Sequence, residues 1–215
     1  MSRTAVIAGA TGLVGRHLLQ QLLADPAWSE VRALSRRALD IEDPKLKVVL
    51  CDYAQPERLG ELLRADDVFC CLGTTLKTAG SREAFEDVDY RMVVALARAA
   101  RDAGARQFLV ISAVGASPKA AAFYSRVKGR MEQAVSALGF ETVQILRPSL
   151  LLGERDEHRP AEALGQHLAP LLNPLLPGRL RRYRAVSGAA VADALRQLAL
   201  REQRGVHVQH LPLAG

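Results

Sequence analysis

Short apolar runs alternate along the chain with longer stretches in which apolar residues recur every three or four positions. Residues 5–8 form one such run, and Val14, Leu18, Leu19, Leu22 and Leu23 follow at helical spacing, which predicts a buried strand leading into an amphipathic helix. Asp25-Pro26 should end that helix, because proline has no N–H to donate and clashes with the preceding turn. Residues 31–34, 48–51 and 68–72 predict the second, third and fourth strands. One continuous helix is expected from Arg82, with Val88, Met92, Leu96 and Ala99 on its inner face and Gly104 as its C-terminal cap. Residues 108–111 predict a fifth strand. The next helix carries Val127, Met131, Val135 and Leu138, with Gly139 to cap it, and residues 143–146 predict a sixth strand.

Strands that are apolar on both faces belong to sheets covered by helices on both sides, and such sheets are parallel. Right-handed crossovers then favour an α/β doubly wound parallel sheet, the Rossmann arrangement, as one domain over residues 1–215. Past Arg147 the prolines at 148, 160, 170, 174 and 177 interrupt the pattern, so residues 147–185 are expected to form a small irregular cap on the substrate side. A helix over 189–200 and an apolar run at 206–211 return the chain to the body.

Composition narrows the classes. With 215 residues, 49% hydrophobic and 24% charged, the chain has the make-up of a globular domain. No apolar run approaches the roughly 20 residues of a membrane-spanning helix, and no secretory signal opens the sequence, so a cytoplasmic protein is expected. The three cysteines, Cys51, Cys70 and Cys71, make a poor disulfide framework, and no spacing resembles a metal site. Lys and Arg outnumber Asp and Glu by 29 to 23, a net charge of +6. Arg179, Arg181, Arg182 and Arg184 cluster, yet aromatic residues are only 5% and no nucleic-acid module is present, so an anionic small molecule accounts better for the charge.

Gly9-Ala10-Thr11-Gly12-Leu13-Val14-Gly15 lies between the first strand and the first helix. There Gly9 permits a tight exit from the strand, Gly12 lets the backbone approach a pyrophosphate, and Gly15 allows close helix-to-strand contact. The helix N-terminus adds free N–H groups and a partial positive charge. Enzymes that use NAD carry an acidic residue after the second strand, where this chain reads Ser35-Arg36-Arg37. Guanidinium groups bind a 2′-phosphate that a carboxylate would repel, so NADP(H) is expected, with NAD(H) as the alternative cofactor. Asp52 is placed to meet the adenine, or to form a turn.

Tyr124 and Lys128 are four residues apart on the predicted fifth-strand crossover helix and therefore share a face. A nearby cation favours a phenolate and makes a tyrosine usable for proton transfer. Ser112 ends the fifth strand at the edge of the sheet where such folds bind ligands.

Together these features resemble the short-chain dehydrogenase/reductase superfamily, in its extended and atypical branches. More narrowly, Cys70-Cys71-Leu72-Gly73-Thr74-Thr75, Ile111-Ser112-Ala113-Val114-Gly115-Ala116, Phe123-Tyr124-Ser125-Arg126-Val127-Lys128-Gly129 and Leu146-Arg147-Pro148-Ser149-Leu150-Leu151 resemble the oxidoreductase family of the HIV Tat-interacting protein TIP30. The resemblance implies that Tyr124 is the general acid or base, that Lys128 binds the nicotinamide ribose and lowers the Tyr124 pKa, and that Ser112 orients the substrate oxygen. It also implies that Leu72, Gly73 and Thr74 lie along the cofactor and that Pro148 and Leu150 border the nicotinamide pocket. The chain departs from the pattern at Val88-Asp89-Tyr90, where many members carry an asparagine, and at Ala113, where a second hydroxyl is common. About 65 residues follow the sixth strand, too few for the larger sugar-nucleotide domain of the extended branch.

The expected function is an NADP(H)-dependent oxidoreductase for a small carbonyl or alcohol. The alternative from another class is an NADP(H)-binding regulator or scaffold with little turnover, since fold and cofactor site do not prove chemistry. The substrate is expected to meet the segment from 151 to 183. His158 and His167 in it read as surface residues, while Leu171, Leu172, Leu175 and Leu176 would cover the pocket or form a homodimer interface.

Overall fold

The computed structural model describes residues 2–152, 183–201 and 203–213. Seven strands form one parallel sheet: β1 (Arg3–Ala8), β2 (Trp28–Ser35), β3 (Leu46–Leu50), β4 (Asp67–Cys70), β5 (Gln107–Ile111), β6 (Thr142–Arg147) and, last in the sheet, β9 (Gly205–His210). Their order is β3-β2-β1-β4-β5-β6-β9, the doubly wound arrangement that the strand and helix pattern predicts. Winding reverses between β1 and β4, which opens a crevice at their carboxyl ends. A separate two-stranded pairing joins β7 (Leu151–Leu152) to β8 (Val186–Ser187).

Successive strand residues point to opposite faces, and both faces are covered. On one, Ala5, Ile7, Phe69 and Leu109 pack with Leu18 and Leu22 of α1 (Gly15–Ala24) and with Leu195 and Leu198 of α6 (Gly188–Ala199). On the other, Val6, Ala8, Val68 and Val110 pack with Leu96 and Ala100 of α4 (Val93–Asp102) and with Met131 and Val135 of α5 (Phe123–Ser136). This double burial explains why the strands read as unbroken apolar runs. Helix α1 stops before Pro26, and Gly104 takes the left-handed conformation, φ +85°, just past α4.

The helix expected from Arg82 forms, with a change of pitch inside it. After α2 (Leu76–Ala79) the chain runs through α3 (Arg82–Glu86), a π-helical stretch over Asp87–Met92 and α4 without a break between them. Its buried series is Phe85, Asp89, Val93, Leu96, Ala97 and Ala100, at helical spacing, rather than Val88, Met92 and Ala99.

At the amino edge of the sheet, fully buried Asp67 accepts hydrogen bonds from Arg3 Nε and Trp28 Nε1, each at 2.7 Å, and from Arg3 Nη2 and Gln107 Nε2. Arg3 and Gln107 also donate to the Ala199 carbonyl, at 3.1 and 2.8 Å. Four strands and the end of α6 are joined through one carboxylate. Of the expected cap, residues 153–182 lie outside the described residues, and with them His158, His167, the four leucines, Arg179, Arg181 and Arg182.

Candidate active site

The β1–α1 turn is built as its glycines require. Gly9 has φ +82°, and a Cβ there would sit 2.8 Å from the Cys71 carbonyl carbon and oxygen at the end of β4. At Gly15 a Cβ would come within 2.0 Å of the Gly9 oxygen, so helix and turn pack backbone to backbone. The Gly12 N–H closes the turn on the Gly9 carbonyl at 3.1 Å. Thr11 and Gly12 are exposed, Leu13 is half-buried and Val14 is buried. Val14, the N-cap of α1, makes no side-chain cap bond, and the Arg16 N–H donates to the Gly12 carbonyl at 3.0 Å, so no capping side chain occupies the start of the helix, where an anion would sit. That open, uncapped cradle fits a pyrophosphate.

Tyr53 supports the turn from below. Its hydroxyl accepts the Gly9 N–H at 3.2 Å and donates to the Leu34 carbonyl, and burial pushes its pKa up to about 12. No sequence pattern marks it, because its partners lie 44 and 19 residues away.

Ser35 ends β2 and is buried, its hydroxyl accepting the Arg37 N–H at 3.3 Å, while Arg36 and Arg37 are exposed at the same edge. Asp52 lies past the end of β3, exposed, and accepts the Ala54 N–H at 2.9 Å. That bond is a turn former's, and the exposed carboxylate keeps further acceptor capacity on its other oxygen.

At the carboxyl ends of β4 and β5 the other expected residues come together. Ser112 is buried, 3% exposed, and its Oγ has no hydrogen-bond partner. Its backbone is fixed, the N–H donating to the Leu146 carbonyl at 2.8 Å, while the neighbouring Val114 N–H bonds the carbonyl of buried Pro148 at 2.9 Å. Tyr124, in the first turn of α5, remains 37% exposed with its ring 5.5 Å from that of Phe85. Lys128, one turn on, is buried. Leu72 is half-buried and Leu150 exposed.

Lys128 is not poised alone beneath Tyr124, as the sequence led us to expect. Its Nζ lies 2.7 Å from Asp89 Oδ1 and donates to the Ile111 carbonyl at 3.3 Å. Asp89 Oδ2 accepts the Thr74 N–H at 2.8 Å, and a Cβ on Gly73 would stand 3.4 Å from Asp89 Oδ1. Burial alone would lower the Lys128 pKa, but the charge of Asp89, with that of Tyr124, more than offsets it and the net shift is upward. The position at which the chain departs from an asparagine is therefore part of the site. The sequence pattern, which favours Val88 over Asp89 as an inner-face residue, concealed this.

Arg147 turns to Glu132, with Nε 2.9 Å from Oε1 and Nη2 2.5 Å from Oε2. Gly129 was missed as a structural residue: a Cβ there would lie 2.1 Å from the Ser117 carbonyl carbon, so the loop following Ser112 crosses α5 only over a glycine. Burial pushes the thiols of Cys70 and Cys71 well up, which keeps both unreactive.

A family described as NAD(P)H-binding matches residues 9–199. Protein fmp52, mitochondrial, of Emericella nidulans is 37% identical over 209 residues, 92% of this chain and 89% of that protein. Its namesake from Eremothecium gossypii is 33% identical over 197 residues, 91% of this chain and 86% of that one. Among solved structures, MoeE5 in complex with UDP-glucuronic acid and NAD superposes with a TM-score of 0.74 at 19% identity, covering 96% of this chain and 75% of that chain. Uronate dehydrogenase from Agrobacterium tumefaciens gives 0.68 at 16%, covering 96% and 75%. These two likenesses concern the fold. The expected cytoplasmic placement is corrected by the curated relatives, which are mitochondrial by name. It rested on the lack of a secretory signal, and that lack does not distinguish cytoplasm from an organelle. The relatives carry the name fmp52, so the resemblance is upheld at the level of the NAD(P)H-binding superfamily and not for the Tat-interacting protein family.

Proposed function

Because the chain belongs to the NAD(P)H-binding family, we propose that it is an oxidoreductase of the short-chain dehydrogenase/reductase type, using NADP(H) and acting on a small carbonyl or alcohol. The observation that carries this reading is the buried, unpartnered Ser112 hydroxyl beside Tyr124 and Lys128 at the carboxyl edge of the sheet. A buried hydroxyl left unsatisfied costs about 1–3 kcal/mol, and a substrate oxygen that accepts its proton removes that cost.

In this reading the cradle of Gly9, Thr11, Gly12, Leu13, Val14 and Gly15 holds the pyrophosphate, and Ser35, Arg36 and Arg37 hold the 2′-phosphate. Leu72, Gly73, Thr74, Pro148 and Leu150 flank the nicotinamide end. When bound, the cofactor supplies or accepts the hydride. Ser112 donates to the substrate oxygen and fixes its direction. Tyr124 delivers a proton to that oxygen in reduction and removes it in oxidation, its exposure giving the substrate access. Lys128 donates to the ribose hydroxyls and keeps positive charge beneath the phenol.

Titrating the protein with NADPH and NADH by fluorescence is the test. NADPH should bind about 10- to 100-fold more tightly, the value of one or two charge-assisted hydrogen bonds, and equal affinities would remove the NADP(H) preference. With a carbonyl panel, Tyr124→Phe should keep cofactor affinity and lose about 10²–10⁴-fold in turnover. A Phe variant that turns over normally would remove Tyr124 from the chemistry, and a wild type that binds cofactor and turns over nothing would favour the regulator.

A further inference from the structure

Asp89 reaches the site from the inner face of its helix. It lies in the π-helical stretch over Asp87–Met92, four residues from Phe85 and from Val93 in the buried series, and is 1% exposed. Its two oxygens then serve two separate elements: Oδ2 takes the Thr74 N–H of the loop after β4 at 2.8 Å, and Oδ1 faces Lys128 Nζ of α5 at 2.7 Å. An asparagine could keep only one of these contacts. With its oxygen on the Thr74 N–H, its NH₂ group would point donors at an ammonium that is itself only a donor. The position thus calls for a carboxylate.

We propose that Asp89 is a positioning residue that holds Lys128 as a charged ammonium against the cofactor loop, so that cofactor binding stays constant into the alkaline range. The proposal rests on the functional reading above, which places the nicotinamide ribose at Lys128. The titratable groups that bear on Lys128 are Asp89 from the π turn, Tyr124 from its own helix and Cys70 from β4, while the Ile111 carbonyl adds a neutral acceptor. Burial holds the Cys70 thiol near 12, so it stays neutral over the same range. Burial of Lys128 itself favours the neutral amine, and the Asp89 carboxylate is the first-ranked influence opposing that. Without the carboxylate, the buried amine should lose its proton at lower pH.

The experiment follows NADPH fluorescence on binding to the full chain from pH 6 to 10. Wild-type affinity should stay level to about pH 9.5, whereas Asp89→Asn should weaken by roughly tenfold for each pH unit above the lowered lysine pKa. The double variant Asp89→Asn with Lys128→Arg should become level again, because a guanidinium keeps its proton throughout. A loss in Asp89→Asn that is the same at every pH overturns the proposal and leaves Asp89 as support for the Thr74 loop. If Asp89→Asn does not fold, the wild-type profile still decides, since an affinity that falls above pH 8 is incompatible with a fixed ammonium. Failure of the wild type to bind either nicotinamide cofactor at any pH overturns the functional reading, and this proposal with it, and is distinguished by that blank titration.

Discussion

Two buried ion pairs stand at opposite edges of one sheet and are finished differently. At the amino edge, Asp67 pairs with Arg3 and fills its remaining acceptor capacity with Trp28 and Gln107, so the group is closed. At the carboxyl edge, Asp89 pairs with Lys128, but Ser112 beside the same strand ends keeps an unsatisfied hydroxyl and Tyr124 stays open to solvent. The first arrangement spends all its polar groups on the fold. The second withholds some for a ligand, which is how functional sites depart from local stability.

The strongest way to break this contrast is to remove Asp67. Asp67→Ala leaves Arg3, Trp28 Nε1 and Gln107 without their shared acceptor, and breaking a buried pair from one side costs about 3–5 kcal/mol. Denaturant unfolding should report that loss, while NADPH affinity of the folded protein stays unchanged. Ser112→Ala should act in the opposite sense. Removing a buried hydroxyl that has no partner should leave stability equal or raise it by about 1 kcal/mol, with turnover reduced. A thermal melt and a rate on the same sample check both halves, and a clear loss of stability would mean that Ser112 belongs with the closed group.

A half-buried cluster supplies the lower limit of the comparison. Glu30 faces Arg32 on its own strand and Lys47 on β3, and its pKa is held below the ordinary 4.5 by the Lys47 hydrogen bond, with burial opposing and Arg32 adding to it. A carboxyl with a depressed folded pKa stabilises above its unfolded value and loses that contribution as pH falls through the folded one. Glu30→Gln should therefore cost a fraction of a kcal/mol at pH 7, less in high salt, and progressively less as pH falls through the lowered folded pKa. Urea unfolding at pH 7 and pH 3 measures the difference.

The legible parts of the molecule were those governed by short spacings. Alternation of apolar runs and helical stripes predicted six of the strands and their winding, although the structure extends β2 back to Trp28 and ends β4 at Cys70. The apolar run at 206–211 announced β9 without revealing that it extends the sheet beside β6. Gly9, Gly12 and Gly15 were readable because strand, turn and helix follow in sequence. Tyr124 and Lys128 were readable as one helical turn. Asp89 was not, because the stripe through Val88, Met92, Leu96 and Ala99 reads as the inner face. The packed face instead carries Asp89, Val93, Leu96, Ala97 and Ala100 at the same helical spacing, and a charged residue there reads as solvent-facing. Tyr53, Asp67 and Gln107 were hidden for another reason: their partners are brought by the winding of the sheet and not by neighbours in sequence.

The bonds from Arg3 and Gln107 to the Ala199 carbonyl carry a consequence for synthesis. Residue 199 leaves the ribosome nearly two hundred residues after residue 3. Until α6 emerges, the nascent sheet lacks one of the two helices that cover a face, and the carbonyl that closes its amino edge. The segment from Gly73 to Lys128, which contains Thr74, Asp89 and Ser112, is complete long before that. A stalled or truncated chain would therefore hold most of the chemistry of the site while exposing an apolar face, which is the form that chaperones and proteases recognise.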